Sequence, residues 1–277
     1  MASTLSQMIK RRPLPAFFGL AYLLSWCAVP WAGPQLLPWG PALAAVIILA
    51  MTEGRAGLKD LASQMGRWRV GFTWYAVAIS LPIIYGLSAT GLNLLFGATM
   101  GELDPWNNLL LLIPLFLLLG GQWEEPGWTG YALPRLQVGR SAIAASLILS
   151  ILRLGWHLPL FFYGAITWGD TVFIIAMQFV VTWLYNSTRG SAFIIIVLHL
   201  MQNVSGGFFN PAFSGDDAVG YAWLRAALYA VVAIGLVVWT GAALVTKTRG
   251  TTPPPDPSVR RGVSAAPPGI RRNRRIQ

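Results

Sequence analysis

Eight apolar segments, each close to the thickness of a bilayer when helical, dominate this 277-residue sequence. A membrane-spanning helix needs about 20 mostly apolar residues, with about 17 to 25 tolerated. Inside lipid only helices and closed barrels satisfy the backbone, and runs that are continuous rather than alternating favour helices. The segments are 14–33, 37–52, 71–97, 108–125, 141–164, 171–188, 191–210 and 221–246.

The composition supports the same class of protein. The chain is 55% hydrophobic and 11% charged, whereas a soluble globular protein carries about 25% charged residues. We therefore predict an all-α, polytopic membrane bundle of about eight transmembrane helices. The sequence shows no internal repeat, and residues 1–246 are predicted to form one transmembrane domain.

The connections between the segments alternate in charge, which predicts the orientation of the chain. The segments 53–70 and 126–140, the turn at 188–190 and both ends of the chain carry lysine or arginine. The other connections carry Glu102 and Asp104, then Asp170, then Asp216 and Asp217, and the mild exception is Arg225. Both termini are therefore predicted to be cytoplasmic, in a protein of the plasma membrane.

The tail 247–277 holds eight of the twenty basic residues together with two proline clusters. Such a composition cannot form a core and predicts a disordered cytoplasmic tail that is attracted to anionic lipid headgroups. Nucleic acid is disfavoured as a partner, because no aromatic residues are interleaved with the arginines.

The chain has only two histidines, His157 and His199, and both lie inside apolar segments, while a third apolar segment ends in Glu124 and Glu125. Ionisable groups at membrane depth are expensive, and they usually serve a function. A glutamate in such a site is suited to activate water as a general base. His199 and Asn203 share one helix face, and their side chains can stabilise an oxyanion. The groups needed to hydrolyse an amide are therefore present.

A structural interpretation of the same residues stays open. A buried histidine can pack between helices, a glutamate pair can cap a helix end, and an intramembrane asparagine can join helices. The hydrolase interpretation requires the three clusters to converge. A straight helix that starts near Arg140 places His157 too deep, so we expect that helix to begin outside the membrane, to tilt or to be broken.

Three motifs in residues 120–205 carry a resemblance to a known family. They are Glu124-Glu125 followed by Gly-Tyr-Ala-Leu-Pro-Arg-Leu at 130–136, Trp156-His157-Leu158-Pro159, and Tyr185-Asn186 with His199 and Asn203. Their order and spacing resemble the CAAX protease and bacteriocin-processing (CPBP) family of intramembrane proteases, which includes the type II CAAX prenyl endopeptidases. The resemblance implies that Glu124 and His157 activate water, that His199 and Asn203 form the oxyanion site, and that Glu125 is a supporting carboxylate.

Two positions depart from the pattern of the family. Thr129 stands where the first motif has an arginine, and Arg153 stands where the second motif usually has a phenylalanine. Arg153 lies one helical turn from His157, where an unpaired arginine would be costly. We therefore predict that Arg153 replaces the missing arginine from the neighbouring helix and pairs with Glu125. A decayed, non-catalytic site is the alternative.

The sequence favours a metal-free endopeptidase that cleaves a membrane-associated or lipidated protein or peptide, in a cavity open to the cytoplasm or laterally to lipid. Glu124, His157 and His199 would be the ligands if the enzyme depended on zinc, since three protein ligands are common at catalytic zinc. The His-Glu-x-x-His signature of many zinc proteases is absent. The alternative function is a non-catalytic membrane protein of the same fold, either a partner-binding or immunity-type protein or a proton-coupled transporter.

Overall fold

The computed structural model describes residues 2–102 and 105–246. Every regular element within those ranges is a helix, so the predicted all-α class is confirmed. The predicted basic tail lies outside the described residues.

The first part of the chain forms seven α-helices. They are α1 (Ala2–Arg11), α2 (Pro13–Trp26), α3 (Val29–Ala32), α4 (Gly40–Thr52), α5 (Gly54–Met65), α6 (Phe72–Leu95) and α7 (Pro105–Leu119).

The remaining elements are interrupted more often. A 3₁₀ turn (Gly121–Glu124) and a π-helix (Pro126–Ala132) lead into α8 (Leu133–Leu136), and then follow α9 (Ala142–Trp156), α10 (Leu158–Phe162), α11 (Trp168–Ser187), α12 (Ala192–Phe209) and α13 (Gly215–Thr240). Single 3₁₀ turns, Asn210–Ala212 and Gly241–Ala243, follow α12 and α13.

Six helical stretches in the described ranges are long and apolar enough to cross a membrane, so this is an integral membrane protein. They are Pro13–Ala32, Phe72–Leu95, Leu109–Leu136, Trp168–Ser187, Ala192–Ala212 and Gly215–Ala243. At the second and fifth predicted segments stand the shorter helices α4 and α9, of 13 and 15 residues. They are about 20 and 22 Å long, so the count of eight spans and the cytoplasmic termini stay predictions.

The fourth predicted segment, 108–125, corresponds to the span Leu109–Leu136, which ends later than predicted. The apolar pattern suggests an end at 125, but the helical path continues through the glutamates to Leu136. The pattern stops early because charged residues lower the local hydropathy, whereas the chain keeps its backbone hydrogen-bonded in the 3₁₀ turn and the π-helix. Glu124 and Glu125 therefore lie inside a span rather than at its end.

Close packing holds the π-helix against its neighbours. Trp128 is fully buried, and its ring lies edge-on to that of Phe17 on α2, with centroids 5.6 Å apart. A Cβ atom on Gly127 would lie 2.4 Å from the backbone of Pro41 at the start of α4. Small residues allow such close approach between membrane helices, and here they fix the position of the carboxylates.

Candidate active site

The two glutamates occupy the junction between the 3₁₀ turn and the π-helix, and both are buried. Each is held by a side chain of the π-helix. The Trp128 indole donates to Oε2 of Glu124 at 3.1 Å, and the Thr129 hydroxyl donates to Oε2 of Glu125 at 2.5 Å. Local structure therefore aims two adjacent carboxylates in fixed and different directions.

Arg153 on α9 reaches this carboxylate pair from the neighbouring helix. Its Nη2 lies 2.9 Å from Oε1 of Glu125 and 3.6 Å from Oε2 of Glu124. The predicted contact between Arg153 and Glu125 is therefore present. The other end of the guanidinium donates to Gln178 on α11 at 3.2 Å, so the arginine joins three elements.

His199 on α12 contacts the same carboxylate. Its Nδ1 lies 2.7 Å from Oε1 of Glu125. Glu125 therefore has three partners, namely Thr129, Arg153 and His199. Glu125 thus accepts hydrogen bonds from three side chains, whereas Glu124 accepts one, from Trp128.

Gly121 lies between Glu124 and His199, and the sequence motifs did not indicate this residue. A Cβ atom at this position would lie 2.8 Å from Oε1 of Glu124 and 2.8 Å from Nε2 of His199. Both atoms therefore face the same small space beside the 3₁₀ turn. The lack of a side chain at Gly121 keeps that space open.

His157 stands where α9 ends and α10 begins. The helix is therefore broken at the histidine. A break was one of the three arrangements expected from the depth of His157 in the membrane. Its Nδ1 lies 2.7 Å from the carbonyl oxygen of Arg153. Because a carbonyl only accepts, Nδ1 carries the hydrogen and Nε2 of the neutral ring has a free lone pair.

The remaining motif residues have different surroundings. Asn203 lies one turn beyond His199 and donates to Gln122 at 3.3 Å. Tyr185 and Asn186 are not at this site: the Tyr185 hydroxyl donates to Gln64 at 2.7 Å, and Asn186 donates to Gln137 at 3.0 Å. Tyr185 therefore joins α11 to α5, and Asn186 joins it to the residue that follows α8.

One cavity of about 320 Å³ brings the predicted residues together. Its polar side consists of Glu124, Arg153, His157, Gln178, His199, Gln202 and Asn203. Its apolar side consists of Pro34, Leu36, Pro38, Leu119, Leu160, Phe173, Ile174 and Met177. Convergent polar groups beside an apolar wall are typical of a site that binds and orients a ligand.

The donor groups around the cavity determine whether a metal ion could bind there. Within the described ranges, no three His, Cys, Asp or Glu side chains are grouped so as to hold an ion. Glu124, His157 and His199 line one cavity, yet Oε2 of Glu124 faces Trp128 and Arg153.

Two comparisons with known proteins agree with this geometry. Residues 106–205 match the profile of the family described as type II CAAX prenyl endopeptidase Rce1-like. The chain is also similar to the CAAX prenyl protease 2 of Methanococcus maripaludis, at 25% identity over 184 residues, which cover 60% of this chain and 68% of the relative.

The helical membrane fold and these matches define an intramembrane peptidase. The region 106–205 is similar to the type II CAAX prenyl endopeptidases, which the CPBP family includes. The matched region contains Glu124, Glu125, His157 and His199, and it ends two residues beyond Asn203.

Proposed function

We propose that this protein hydrolyses a peptide bond of a membrane-associated or lipidated protein or peptide, with water activated by Glu124 and His157. The observation that carries the proposal is the convergence of both side chains with His199 and Asn203 on one cavity. The apolar wall beside them suits an apolar or lipidated substrate. The name of the archaeal relative points to a prenylated CAAX terminus.

Glu124 and His157 are suited to share the activated water. Glu124 is fixed by the Trp128 indole through one oxygen, while its other oxygen faces the space kept open at Gly121. His157 has Nδ1 occupied by a carbonyl, so its Nε2 is left to accept a hydrogen bond. A water between the two would lose its proton to Glu124 as its oxygen adds to the substrate carbonyl carbon.

His199 and Asn203 are suited to stabilise the oxyanion that this addition creates. Glu125 holds Nδ1 of His199 and thereby fixes the ring. When both ring nitrogens carry hydrogen, Nε2 becomes a donor toward the cavity, and Asn203 keeps one amide hydrogen beyond that given to Gln122.

The tetrahedral intermediate then collapses. The bond between the carbonyl carbon and the amide nitrogen breaks, and Glu124 returns the proton to the departing amine. The products are a carboxylic acid and an amine, and the acid then passes its proton to the amine to give a carboxylate and an ammonium group. Fixed donors and a positioned base are the contributions expected from the protein in such a reaction.

Replacement of the two proposed water-activating residues tests this function. Loss of a positioned general base lowers rates by about 10² to 10⁴-fold, so we expect Glu124→Gln and His157→Ala each to lose cleavage to this degree. Glu102→Gln is the matched control, because Glu102 is exposed. New membrane-peptide termini are measured by proteomics, and the elution profile in detergent reports folding.

Two outcomes of that experiment have opposite meanings. Cleavage lost in both variants, with unchanged elution and an active Glu102→Gln control, supports the protease. A full cellular phenotype in both variants contradicts it and favours the non-catalytic, partner-binding function.

We also propose that the reaction needs no metal. With the hydrolysis assay in hand, incubation with a zinc chelator is expected to leave the rate unchanged. Loss of activity that zinc restores, with one zinc per chain in the purified protein, would show that the proposal is wrong. The measurement decides between a glutamate-activated and a zinc-activated water.

The basic tail is proposed to bind anionic lipid at the cytoplasmic face of the plasma membrane. Its arginines and prolines carry this proposal at the level of sequence. Each basic residue near an anionic surface contributes about 1 kcal/mol. A synthetic peptide of residues 247–277 should bind vesicles that contain phosphatidylserine and not neutral vesicles; equal binding to both would contradict the proposal.

A further inference from the structure

Gln202 is a polar residue of the cavity that the proposed hydrolysis does not use. It lies on α12, three residues after His199 and one before Asn203, and it lines the cavity with both of them. The residue is buried. An amide in such a place needs partners, because an unpaired buried donor or acceptor is costly. The hydrogen bonds of Gln202 therefore indicate what this part of the cavity can bind.

The carbonyl oxygen of the Gln202 side chain is occupied from within the protein. The hydroxyl of Tyr229, a buried residue of α13, donates to Oε1 of Gln202. Among the described residues, none accepts a hydrogen bond from Nε2 of the same amide, and Nε2 is not a fully enclosed atom. Its two hydrogens are therefore left for a molecule in the cavity.

Aromatic packing holds Tyr229 in place. Its ring packs against Tyr85 on α6 and edge-on against Phe173 on α11, with centroids 3.7 and 4.8 Å apart. Close-packed rings leave little room for the tyrosine to move. The hydroxyl therefore reaches Gln202 from a fixed position, and an amide that is held in this way is preorganised for its ligand.

The side chains of α12 divide the cavity between them. Successive residues of an α-helix are about 100° apart, so Asn203 lies about 40° to one side of His199 and Gln202 about 60° to the other. Asn203 accordingly reaches Gln122 in the 3₁₀ turn, whereas Gln202 reaches Tyr229 on α13. Gln202 thus lies on the opposite side of His199 from the second proposed oxyanion donor.

The apolar wall begins on that side. Phe173 belongs to the wall, and its ring contacts the same tyrosine that holds Gln202. The free amide hydrogens therefore stand where the polar side of the cavity meets its apolar wall. A peptide that lays an apolar side chain on this wall brings the backbone of the same residue near Gln202.

We infer that Gln202 donates to a backbone carbonyl oxygen of the substrate, next to the scissile bond, and that Tyr229 positions it. The inference rests on the proposed function for the word substrate. Each residue of a peptide carries a carbonyl acceptor, and a neutral donor suits this neutral group, whereas a hydrocarbon chain offers no acceptor. The contact holds the substrate by its backbone, whatever its side chains are.

Such a contact acts on binding more than on chemistry. The carbonyl that Gln202 holds gains no charge during hydrolysis, so the bond is equally strong in the ground state and the transition state. Loss of a contact of this kind raises KM and leaves kcat unchanged. Loss of an oxyanion donor lowers kcat instead.

Binding to an uncleaving protein measures the contact directly. The background is Glu124→Gln, and the probe is a fluorescent peptide that ends in a prenylated CAAX sequence. Gln202→Met keeps the length of the side chain and removes its amide. We expect the Kd for the peptide, measured by anisotropy on the full chain in detergent, to rise about 3 to 10-fold, as for one neutral hydrogen bond.

Two tyrosines provide a matched pair for the positioning role. Tyr229→Phe removes the donor to Gln202 and should raise the Kd about 2 to 3-fold, since the amide keeps its hydrogens but loses its orientation. The Tyr85 hydroxyl is buried without a partner among the described residues, and Tyr85 does not line the cavity. Tyr85→Phe should therefore leave the Kd unchanged.

The double variant separates the contact from damage to the fold. Gln202→Met combined with Tyr229→Phe leaves no orphaned hydroxyl, so it keeps the bundle packed even if Gln202→Met alone is unstable. It should bind the peptide as weakly as Gln202→Met, because Tyr229 acts through Gln202. A further loss in the double variant, or equal losses in Tyr229→Phe and Tyr85→Phe, would overturn the positioning role.

Two further outcomes would overturn the backbone contact. The first is equal affinity of the proteins with and without Gln202→Met, including no binding by either. The second comes from cleavage kinetics with Glu124 in place, where Gln202→Met should raise KM and change kcat by less than about 2-fold; a lower kcat at unchanged KM would make Gln202 an oxyanion donor. Because binding is measured without cleavage, unchanged cleavage by Glu124→Gln alone counts against the proposed function and leaves the binding result to decide the contact.

Discussion

Two neighbouring glutamates have unequal surroundings, and this inequality defines the site at the scale of residues. Glu125 has three partners, of which one is a guanidinium and one an imidazole. Glu124 accepts one hydrogen bond, from Trp128, and lines the cavity. These contacts suit Glu125 to the proposed support of Arg153 and His199, and they suit Glu124 to the proposed activation of water.

Gly121 offers a direct test of how tightly this geometry is set. Gly121→Ala would place a methyl group 2.8 Å from both Glu124 and His199. A displacement of about 1 Å in a catalytic group costs about 10²-fold in rate, so we expect a loss of that order in the cleavage assay. Gly91→Ala is the control, because a Cβ atom there meets nothing within 4 Å.

Two observations would contradict this expectation. Full activity of Gly121→Ala would show that the space beside the 3₁₀ turn is not used. An equal loss in Gly91→Ala would show that the assay reports general damage to the fold.

Spacing along the sequence predicted part of the site correctly. Arg153 lies one helical turn from His157 in an apolar helix, where an arginine needs a partner. This spacing predicted its contact with Glu125, which is present in the structure. The roles of Gly121 and Gln178 were not predicted. Their positions depend on a 3₁₀ turn followed by a π-helix, and a regular helical period does not describe either element.

At the scale of elements, we propose that Arg153 on α9 replaces the arginine that the first family motif carries at position 129. The Thr129 hydroxyl and the Arg153 guanidinium both reach Glu125, the former from the π-helix and the latter from α9. A π-helix is often found at functional sites. Here it brings position 129 against the same carboxylate that α9 approaches from the other side.

Moving the arginine back between the helices tests that substitution. Arg153→Leu leaves a buried carboxylate without its guanidinium, and breaking such a pair costs about 3–5 kcal/mol. We expect Thr129→Arg combined with Arg153→Leu to recover much of that stability, since the new guanidinium enters the vacated space. Thermal unfolding in detergent measures the change.

The single variant Thr129→Arg provides the control for the exchange. With Arg153 in place, two guanidinium groups would compete for one buried site, so this variant should be less stable than the natural protein. A double variant no more stable than Arg153→Leu alone would show that the two positions are not equivalent.

For the elements themselves, the apolar segments predicted the location of the helices well. The breaks within the helices were harder to predict, because a hydropathy profile averages over about 19 residues. A helix that ends at His157 and restarts at Leu158 has the same average as a continuous one. The depth of His157 nevertheless required a break, a tilt or an early start, and the structure has the break.

At the scale of the whole molecule, the two shorter helices accompany the cavity. Helix α9 ends at the histidine, and α4 follows the connection 33–39, of which Pro34, Leu36 and Pro38 line the cavity. Helices of about 20 to 22 Å are shorter than a hydrocarbon core of about 30 Å. Irregular backbone at membrane depth is tolerated where it lines a cavity, and these connections do so through Leu36, Pro38 and Leu160.

A second buried ion pair lies beside the apolar wall of this cavity. Arg225 on α13 pairs with Asp170 on α11 and donates to Asn210 at 3.2 Å. Its guanidinium lies 4.6 Å from the ring centroid of Phe173, which is part of the apolar wall. The pair thus joins three elements and supports one side of the cavity.

Replacement of this arginine is expected to affect stability and substrate choice together. Arg225→Met removes the partner of Asp170, whose side chain is 21% exposed. The expected cost is therefore near or below the lower end of the about 3–5 kcal/mol measured for fully buried pairs. Loss of the cation beside Phe173 should also loosen the apolar wall and change the ratio of cleavage rates between substrates with large and small apolar residues.

Asp216→Asn is the control, because Asp216 is exposed and lies in the first turn of the same helix. It should change neither the unfolding temperature nor that ratio. If Arg225→Met lowers stability while the ratio stays constant, the pair supports the bundle and not the cavity wall.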